Sequence, residues 1–370
     1  MSRTVAIVYN AMQSVWWRRE LIGAMRVRGH RVVAIAPFDG FEDRVRGLGV
    51  TVHPIAMSRM GMGPAEQACV LWELVRLFRA ERVDVALLTT IKPIVLGSIA
   101  ARLTGVRDVS AAITGLGIAF DDATPAQRRR AGLARGLYRH LLPRMRKLIF
   151  QNPDDLAAFR AAGFARDDQI VLTAGSGVNL RDFTCAPPVT DPIHFVLIAR
   201  MLRTKGVPEF VAAARALKAR HGAKVAFTLV GPLDANLDAV TQAEMDSWTR
   251  DGTVTYAGAV DDVRPYLSLA SVYVLPSYYK EGIPRTSLEA MALGRPVVTT
   301  DLPGCRETAR PGENGFFVPP CDAGALADAM ERFVAEPDLI ARMGAASRAL
   351  AEARFDQARV NAQIIDALGL

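Results

Sequence analysis

Cysteine and histidine are scarce in this chain of 370 residues, which has four of the first and five of the second. Cys69, Cys185, Cys305 and Cys321 fall at no paired metal-ligand spacing, and the scattered histidines supply none. That excludes a zinc module and leaves ordinary reduced thiols. Long apolar runs are missing too. The most apolar window, 85–103, is broken by Lys92-Pro93 and Arg102 and falls short of a membrane span. No charged-then-apolar leader precedes the first strand-like run at Val5, so cytoplasmic residence is expected. Low-complexity tracts are absent, and half of the residues are apolar, as in a globular protein.

Charge is present in excess and unevenly spread. The net charge is +7; residues 1–185 hold 26 Lys+Arg against 16 Asp+Glu, and the remainder 19 against 22. A basic first half suggests an anionic partner, which could be nucleic acid, anionic lipid or a diphosphate. No nucleic-acid motif accompanies it. Arg128, Arg129, Arg130, Arg135, Arg139, Arg144, Arg146 and Lys147 gather mostly on a predicted helix, which suits a solvated face or an anionic membrane surface. Met57-Ser58-Arg59-Met60-Gly61-Met62-Gly63-Pro64 and Trp16-Trp17-Arg18-Arg19 mix apolar and basic residues. Both are candidates for peripheral contact with a polyprenyl chain or bilayer, the plainer reading being core tryptophans and a mobile loop.

Strand-like runs at 5–9, 31–36, 50–55, 83–88, 109–113 and 147–151 alternate with helical patterns at 16–28, 64–79, 93–104, 126–142 and 153–162. A second set of strands follows at 193–199, 224–230, 254–257, 271–275, 296–299 and 315–318. This alternation predicts an α/β fold with parallel sheets covered by helices on both faces. The length calls for two cores. Three prolines within Cys185-Ala186-Pro187-Pro188-Val189-Thr190-Asp191-Pro192 read as a linker, giving domains at 1–188 and 193–353. The segments 339–353 and 356–368 read as helices. In doubly wound sheets ligands bind at the carboxyl ends of the strands.

One such end carries Pro276-Ser277-Tyr278-Tyr279-Lys280-Glu281-Gly282-Ile283-Pro284-Arg285-Thr286-Ser287-Leu288-Glu289-Ala290. Pro284 suits a first helical turn, with helix continuing over 286–293. The N–H groups of 282–285 would then point out of a partially positive helix start, a setting for phosphate or diphosphate. Glu281 before the helix and Glu289 within it could accept hydrogen bonds from sugar hydroxyls, although acidic residues near helix starts are also common as dipole partners. Another strand end, at 195–199, leads into Arg200-Met201-Leu202-Arg203-Thr204-Lys205-Gly206. Arg200 and Lys205 could supply fixed positive charge to a departing diphosphate, where a plain surface loop is the bland alternative. No Asp-x-Asp motif lies in these loops, and Asp121-Asp122 and Asp154-Asp155 lack that spacing.

The 276–290 string resembles the donor-site signature of the retaining GT-B glycosyltransferases of family four, and continues in the same vein as Ala290-Met291-Ala292-Leu293-Gly294-Arg295-Pro296-Val297-Val298. Arg200 with Lys205-Gly206 resembles that family's diphosphate clamp. The resemblance implies two Rossmann-like domains facing across a cleft, with the last helix (354–370) crossing back onto the first. It implies a retaining hexosyltransferase that uses a UDP-sugar donor and neither metal nor other cofactor. Glu281 would hold the donor sugar, Glu289 the ribose, and Gly282, Ile283 and Pro284 the diphosphate. Gly231 in Val230-Gly231-Pro232 and Val260 in the 257–263 turn would wall the base pocket, though turn chemistry explains those glycines equally well. The stretches 174–179 and 301–307 would border the same region.

On the acceptor side, Asn10-Ala11-Met12-Gln13-Ser14 stands where many relatives carry a Gly-rich loop. Thr89-Thr90-Ile91-Lys92-Pro93 and Ala112-Ile113-Thr114-Gly115-Leu116-Gly117-Ile118-Ala119-Phe120 look like enzymes of capsular and lipid-linked glycan assembly, among them N-acetylgalactosaminyltransferases acting on undecaprenyl-diphosphate sugars. Asn10, Lys92, Thr114 and Gly115 are therefore the acceptor candidates. Many relatives place a histidine near Thr114, and none stands there in this chain. The β-phosphate oxygen of the departing UDP would take that role. The expected function is transfer of an N-acetylhexosamine to a lipid-linked or polysaccharide acceptor in bacterial surface glycan synthesis, at the inner face of the plasma membrane. Two alternatives stand beside it, a UDP-sugar 2-epimerase of GT-B fold and a non-catalytic nucleotide-sugar- or lipid-binding module.

Overall fold

A computed structural model describes residues 2–58, 63–120, 124–234, 238–280 and 282–370. It divides into two units, 1–173 with 358–370, and 174–357. The first is built on strands β1 (Thr4–Val8), β2 (Arg31–Ala36), β3 (Thr51–Pro54), β4 (Val85–Thr89), β5 (Asp108–Ile113), β6 (Lys147–Phe150) and β7 (Ile170–Leu172). All pair in parallel, in the order β3-β2-β1-β4-β5-β6-β7. All five residues of β4 are buried, as a central parallel strand covered on both faces requires.

The second unit contains β8 (Ile193–Ile198), β9 (Val225–Val230), β10 (Thr255–Tyr256), β11 (Val272–Leu275), β12 (Val297–Thr300) and β13 (Gly315–Val318), again all parallel, in the order β10-β9-β8-β11-β12-β13. Winding reverses between β1 and β4 and between β8 and β11. Those are the switch points at which doubly wound sheets hold ligands.

The α/β reading therefore holds, with four departures. The chain passes to the second unit at Ala174, not at the proline-rich segment. That segment is bound into the second unit instead. Arg295, fully buried, donates from Nη1 to the Ala186 carbonyl at 2.8 Å and from Nε to the Leu267 carbonyl at 2.9 Å, and Ser271 Oγ donates to the Val189 carbonyl. Three prolines supply carbonyls but no N–H, and a buried guanidinium meets that one-sided need. The helix expected over 16–28 is two, Met12–Trp16 and Arg19–Val27, because Arg18 leaves helical geometry (φ −104°, ψ 16°) as its side chain turns inward to Tyr9. Strand β7, three residues long and with none fully buried, was too short to read. Pro284 caps the helix Arg285–Ala292 in extended conformation and does not join its first turn.

Candidate donor and acceptor sites

The loops after β8 and β11 are joined by backbone. The Thr204 carbonyl accepts from the N–H groups of Tyr278 (2.8 Å) and Tyr279 (2.9 Å) and from Ser277 Oγ (3.2 Å). Gly206 sits at φ +76°, and a Cβ there would lie 2.4 Å from the Pro276 carbonyl oxygen. Only glycine permits this approach. The contact sets Lys205 beside Tyr279, its Nζ 5.0 Å from the ring centroid, a cation–π distance. Below the loops, Thr286 Oγ1 lies 2.6 Å from Tyr273 Oη and donates to the Ile198 carbonyl at 3.1 Å, which fixes the start of helix Arg285–Ala292 to the end of β8.

Acidic residues from beyond β9 hold the basic loop. Arg200 Nη1 pairs with Asp234 Oδ2 at 2.8 Å, and Arg203 Nη2 with Glu244 Oε1 at 2.6 Å. Asp238 Oδ2 accepts from the Thr204 N–H at 3.1 Å and from its hydroxyl. Arg203 holds the Glu244 carboxyl down to about 2, well below the usual carboxylate range, helped by donors from Thr241. Asp234 spends one carboxylate on Arg200; a guanidinium has five N–H donors, so the pairing orients the group without exhausting it. Sequence reading missed Asp234, Asp238 and Glu244, which lie 34 to 41 positions from their partners in a stretch with no motif of its own.

Glu289 is 5% exposed, and Arg285 Nε donates to its Oε1 at 2.7 Å, one helical turn apart. Ile283 is buried, its Cβ 2.9 Å from where a Cβ on Gly175 would stand, so the 174–179 stretch packs directly on the 282–284 loop. Gly231, at φ +136°, faces the Ala199 carbonyl, where a Cβ would come within 1.9 Å; its carbonyl accepts from Tyr256 Oη at 2.9 Å. Val260 is half-buried and packs on the core beneath the same strand ends. Arg200, Lys205, Gly231, Val260, Gly282, Ile283, Pro284 and Glu289 thus all sit at or just beyond the carboxyl ends of β8 to β11 or on the helix that follows. Glu281 lies outside the described residues.

In the first unit, Asn10 follows β1, Lys92 lies in the first turn of helix Ile91–Thr104 after β4, and Thr114 and Gly115 follow β5. Three neighbouring interior strands bring the four to the carboxyl end of one sheet, all half-buried. Lys92 Nζ donates to the Ser58 carbonyl at 2.5 Å, and burial lowers its ammonium pKa against an opposing pull from Glu66. Of the 57–64 segment, 59–62 lie outside the described residues. Trp17 is exposed, but Arg18 is buried, which removes it from any surface contact. Among the described residues no helix is long and apolar enough to cross a membrane, and no three His, Cys, Asp or Glu gather as a metal site.

Two family models match in tandem: the glycosyl transferase 4-like domain over residues 16–175, and glycosyl transferases group 1 over residues 192–336. The N,N'-diacetylbacillosaminyl-diphospho-undecaprenol alpha-1,3-N-acetylgalactosaminyltransferase of Campylobacter jejuni is 28% identical over 359 residues, 92% of this chain and 91% of that one. Among solved structures, Anabaena HepE in complex with UDP-glucose superposes with TM-score 0.80 at 20% identity over 99% of both chains. Sucrose-phosphate synthase from Thermosynechococcus elongatus does so with TM-score 0.79 at 22% identity over 98% of both. With its two sheets wound as in those proteins and both halves matching glycosyltransferase models, the chain is a GT-B glycosyltransferase, an enzyme of the hexosyltransferase kind.

Proposed function

We propose that the chain transfers a sugar, an N-acetylhexosamine, from a UDP-sugar to a lipid-linked or polysaccharide acceptor in bacterial surface glycan synthesis, with retention at the anomeric carbon. The observation that carries this reading is the joined pair of loops after β8 and β11. It sets Arg200, Lys205 and a helix start at one switch point, a cationic setting matched to a nucleotide diphosphate. The name of the Campylobacter jejuni relative, which matches over nearly the whole chain, supports the lipid-diphosphate acceptor and the amino sugar. HepE, solved with UDP-glucose, supports a UDP donor.

In this reading Glu289, held by Arg285, receives the ribose hydroxyls, and Glu281 orients the sugar. An acceptor hydroxyl oxygen attacks the anomeric carbon from the face that UDP leaves. The bond from that carbon to the β-phosphate oxygen breaks, and the same oxygen takes the hydroxyl proton. Arg200, Lys205 and backbone N–H groups stabilise the departing charge without a divalent cation. Asn10, Lys92, Thr114 and Gly115 face the acceptor. Work at the cytoplasmic side of a membrane fits the exposed Trp72, Leu133 and Leu137 of the first unit, the last two sharing a helix with the exposed Arg128, Arg129, Arg130 and Arg139.

A screen of UDP-sugars against extracted lipid-diphosphate sugars, with the product linkage read by NMR, tests this. UDP-N-acetylhexosamine should give an α-linked product from an α-donor, and transfer should survive a chelator. An inverted product, or transfer abolished by chelation, contradicts the proposal.

A further inference from the structure

The carboxyl ends of β1 and β4 hold buried polar groups with unused hydrogen-bonding capacity. Val8 pairs with Leu88, so the next residues, Tyr9 and Thr89, are neighbours. Val8, Ala86 and Leu88 belong to the core on one face of the sheet. Alternation along the strands turns Tyr9 and Thr89 to the other face. There Arg18 Nε donates to Tyr9 Oη at 3.2 Å. Arg18 is only 8% exposed, and its Nη1 is buried with no partner. No carboxylate among the described residues pairs with it; Glu20, next but one in the chain, pairs with Arg19 at 2.9 Å.

Thr89 is 1% exposed, and its Oγ1 likewise has no partner. Thr90 follows at φ +71°, a left-handed conformation rare outside glycine, again with a buried, unpartnered Oγ1. The next residue begins helix Ile91–Thr104, whose first amides add positive potential. An unpaired buried guanidinium is among the costliest arrangements a fold can keep. The unused groups of Arg18, Thr89 and Thr90 are donors or can act as donors, and together they describe the complement of an oxyanion; Glu20 Oε2, also buried and unpartnered, is an acceptor two residues from Arg18.

We propose that this crevice binds a phosphate or diphosphate group between the Arg18 guanidinium and the hydroxyls of Thr89 and Thr90. The site stands on these contacts alone; identifying its occupant as the acceptor's diphosphate or the donor's rests on the transferase reading above.

The test is calorimetric titration of the full chain with inorganic diphosphate, both without UDP and with UDP saturating the donor loops, for wild type, Arg18→Gln and Thr89→Val, each with a thermal melt; binding lost only when UDP is present points to the donor's diphosphate. Wild type should bind, and each variant should bind at least about tenfold more weakly, as loss of a charge-assisted or buried hydrogen bond requires. Without ligand both variants should melt no lower than wild type, since each removes an unsatisfied group. Unchanged diphosphate affinity in both variants, or no diphosphate binding by wild type in either condition, overturns the proposal. A lower melting temperature in both variants, with affinity unchanged, assigns the groups a structural role. Steady-state transfer then separates the sources. A raised KM for the lipid-diphosphate acceptor alone names the acceptor, and a raised KM for UDP-sugar alone names the donor. If wild type transfers no sugar, the functional reading fails while the titration still decides the site.

Discussion

Replacing Gly206 with alanine should damage both stability and nucleotide binding, and the two costs can be separated. At φ +76° any L-residue pays the left-handed penalty, about 1–2 kcal/mol. The new Cβ would also stand 2.4 Å from the Pro276 carbonyl oxygen. Because backbone cannot rotate away as a side chain does, the overpacking adds roughly 1–3 kcal/mol. Gly252 provides the control: its φ is +70°, yet nothing lies within 4 Å of a Cβ there, so Gly252→Ala should cost only the first penalty. For a unit of this size roughly 2–4 °C of melting temperature accompanies each kcal/mol. Gly206→Ala should then lose roughly 4–20 °C, and Gly252→Ala only roughly 2–8 °C. UDP affinity, by calorimetry, should fall at least about tenfold in Gly206→Ala and stay unchanged in Gly252→Ala. Equal melting losses with unchanged UDP affinity in both would refute the claim that contact between the β8 and β11 loops shapes the donor site.

Two further predictions concern charge. Arg200→Ala should lower kcat/KM for the UDP-sugar by roughly 10²–10³, the scale of a lost transition-state donor. It should change melting only modestly, since its ion pair with Asp234 is partly exposed; unchanged kcat/KM would remove Arg200 from the clamp. Burial raises the Asp155 carboxyl to about 6. A raised acid favours its neutral form in the fold, so the stability present below the unfolded pKa is lost as pH rises through about 4 to 6. Asp155→Asn should therefore melt higher than wild type at pH 7.5, by an amount on the order of 1–2 kcal/mol. The gap should close below about pH 4, and a gap independent of pH would show that the carboxyl does not titrate as described.

Much of this was legible in the chain because the two signals are local. Apolar runs alternating with helical patterns gave both sheets, and Arg200, Lys205-Gly206 and Glu289 stood out because short strings follow strand ends directly. What was hidden depends on distant partners. Nothing near Pro187 reveals that Arg295, more than 100 positions on, would bind the supposed linker into the second unit. Nothing near Arg200 names Asp234. Arg18 read as part of a basic surface pair, and only the inward turn to Tyr9 shows it buried. The short helices Glu42–Arg46 and Arg264–Leu269 have too few residues for their period to emerge.

The central claim is that the loop between β11 and its helix handles the transferred sugar, with Glu281 as the residue that touches it. The most direct measurement is sugar transfer by Glu281→Ala, run beside a thermal melt. The predicted result is a wild-type melting temperature with transfer lost by at least about 10²-fold. Transfer within about twofold of wild type, in a protein that still binds UDP, would contradict the account.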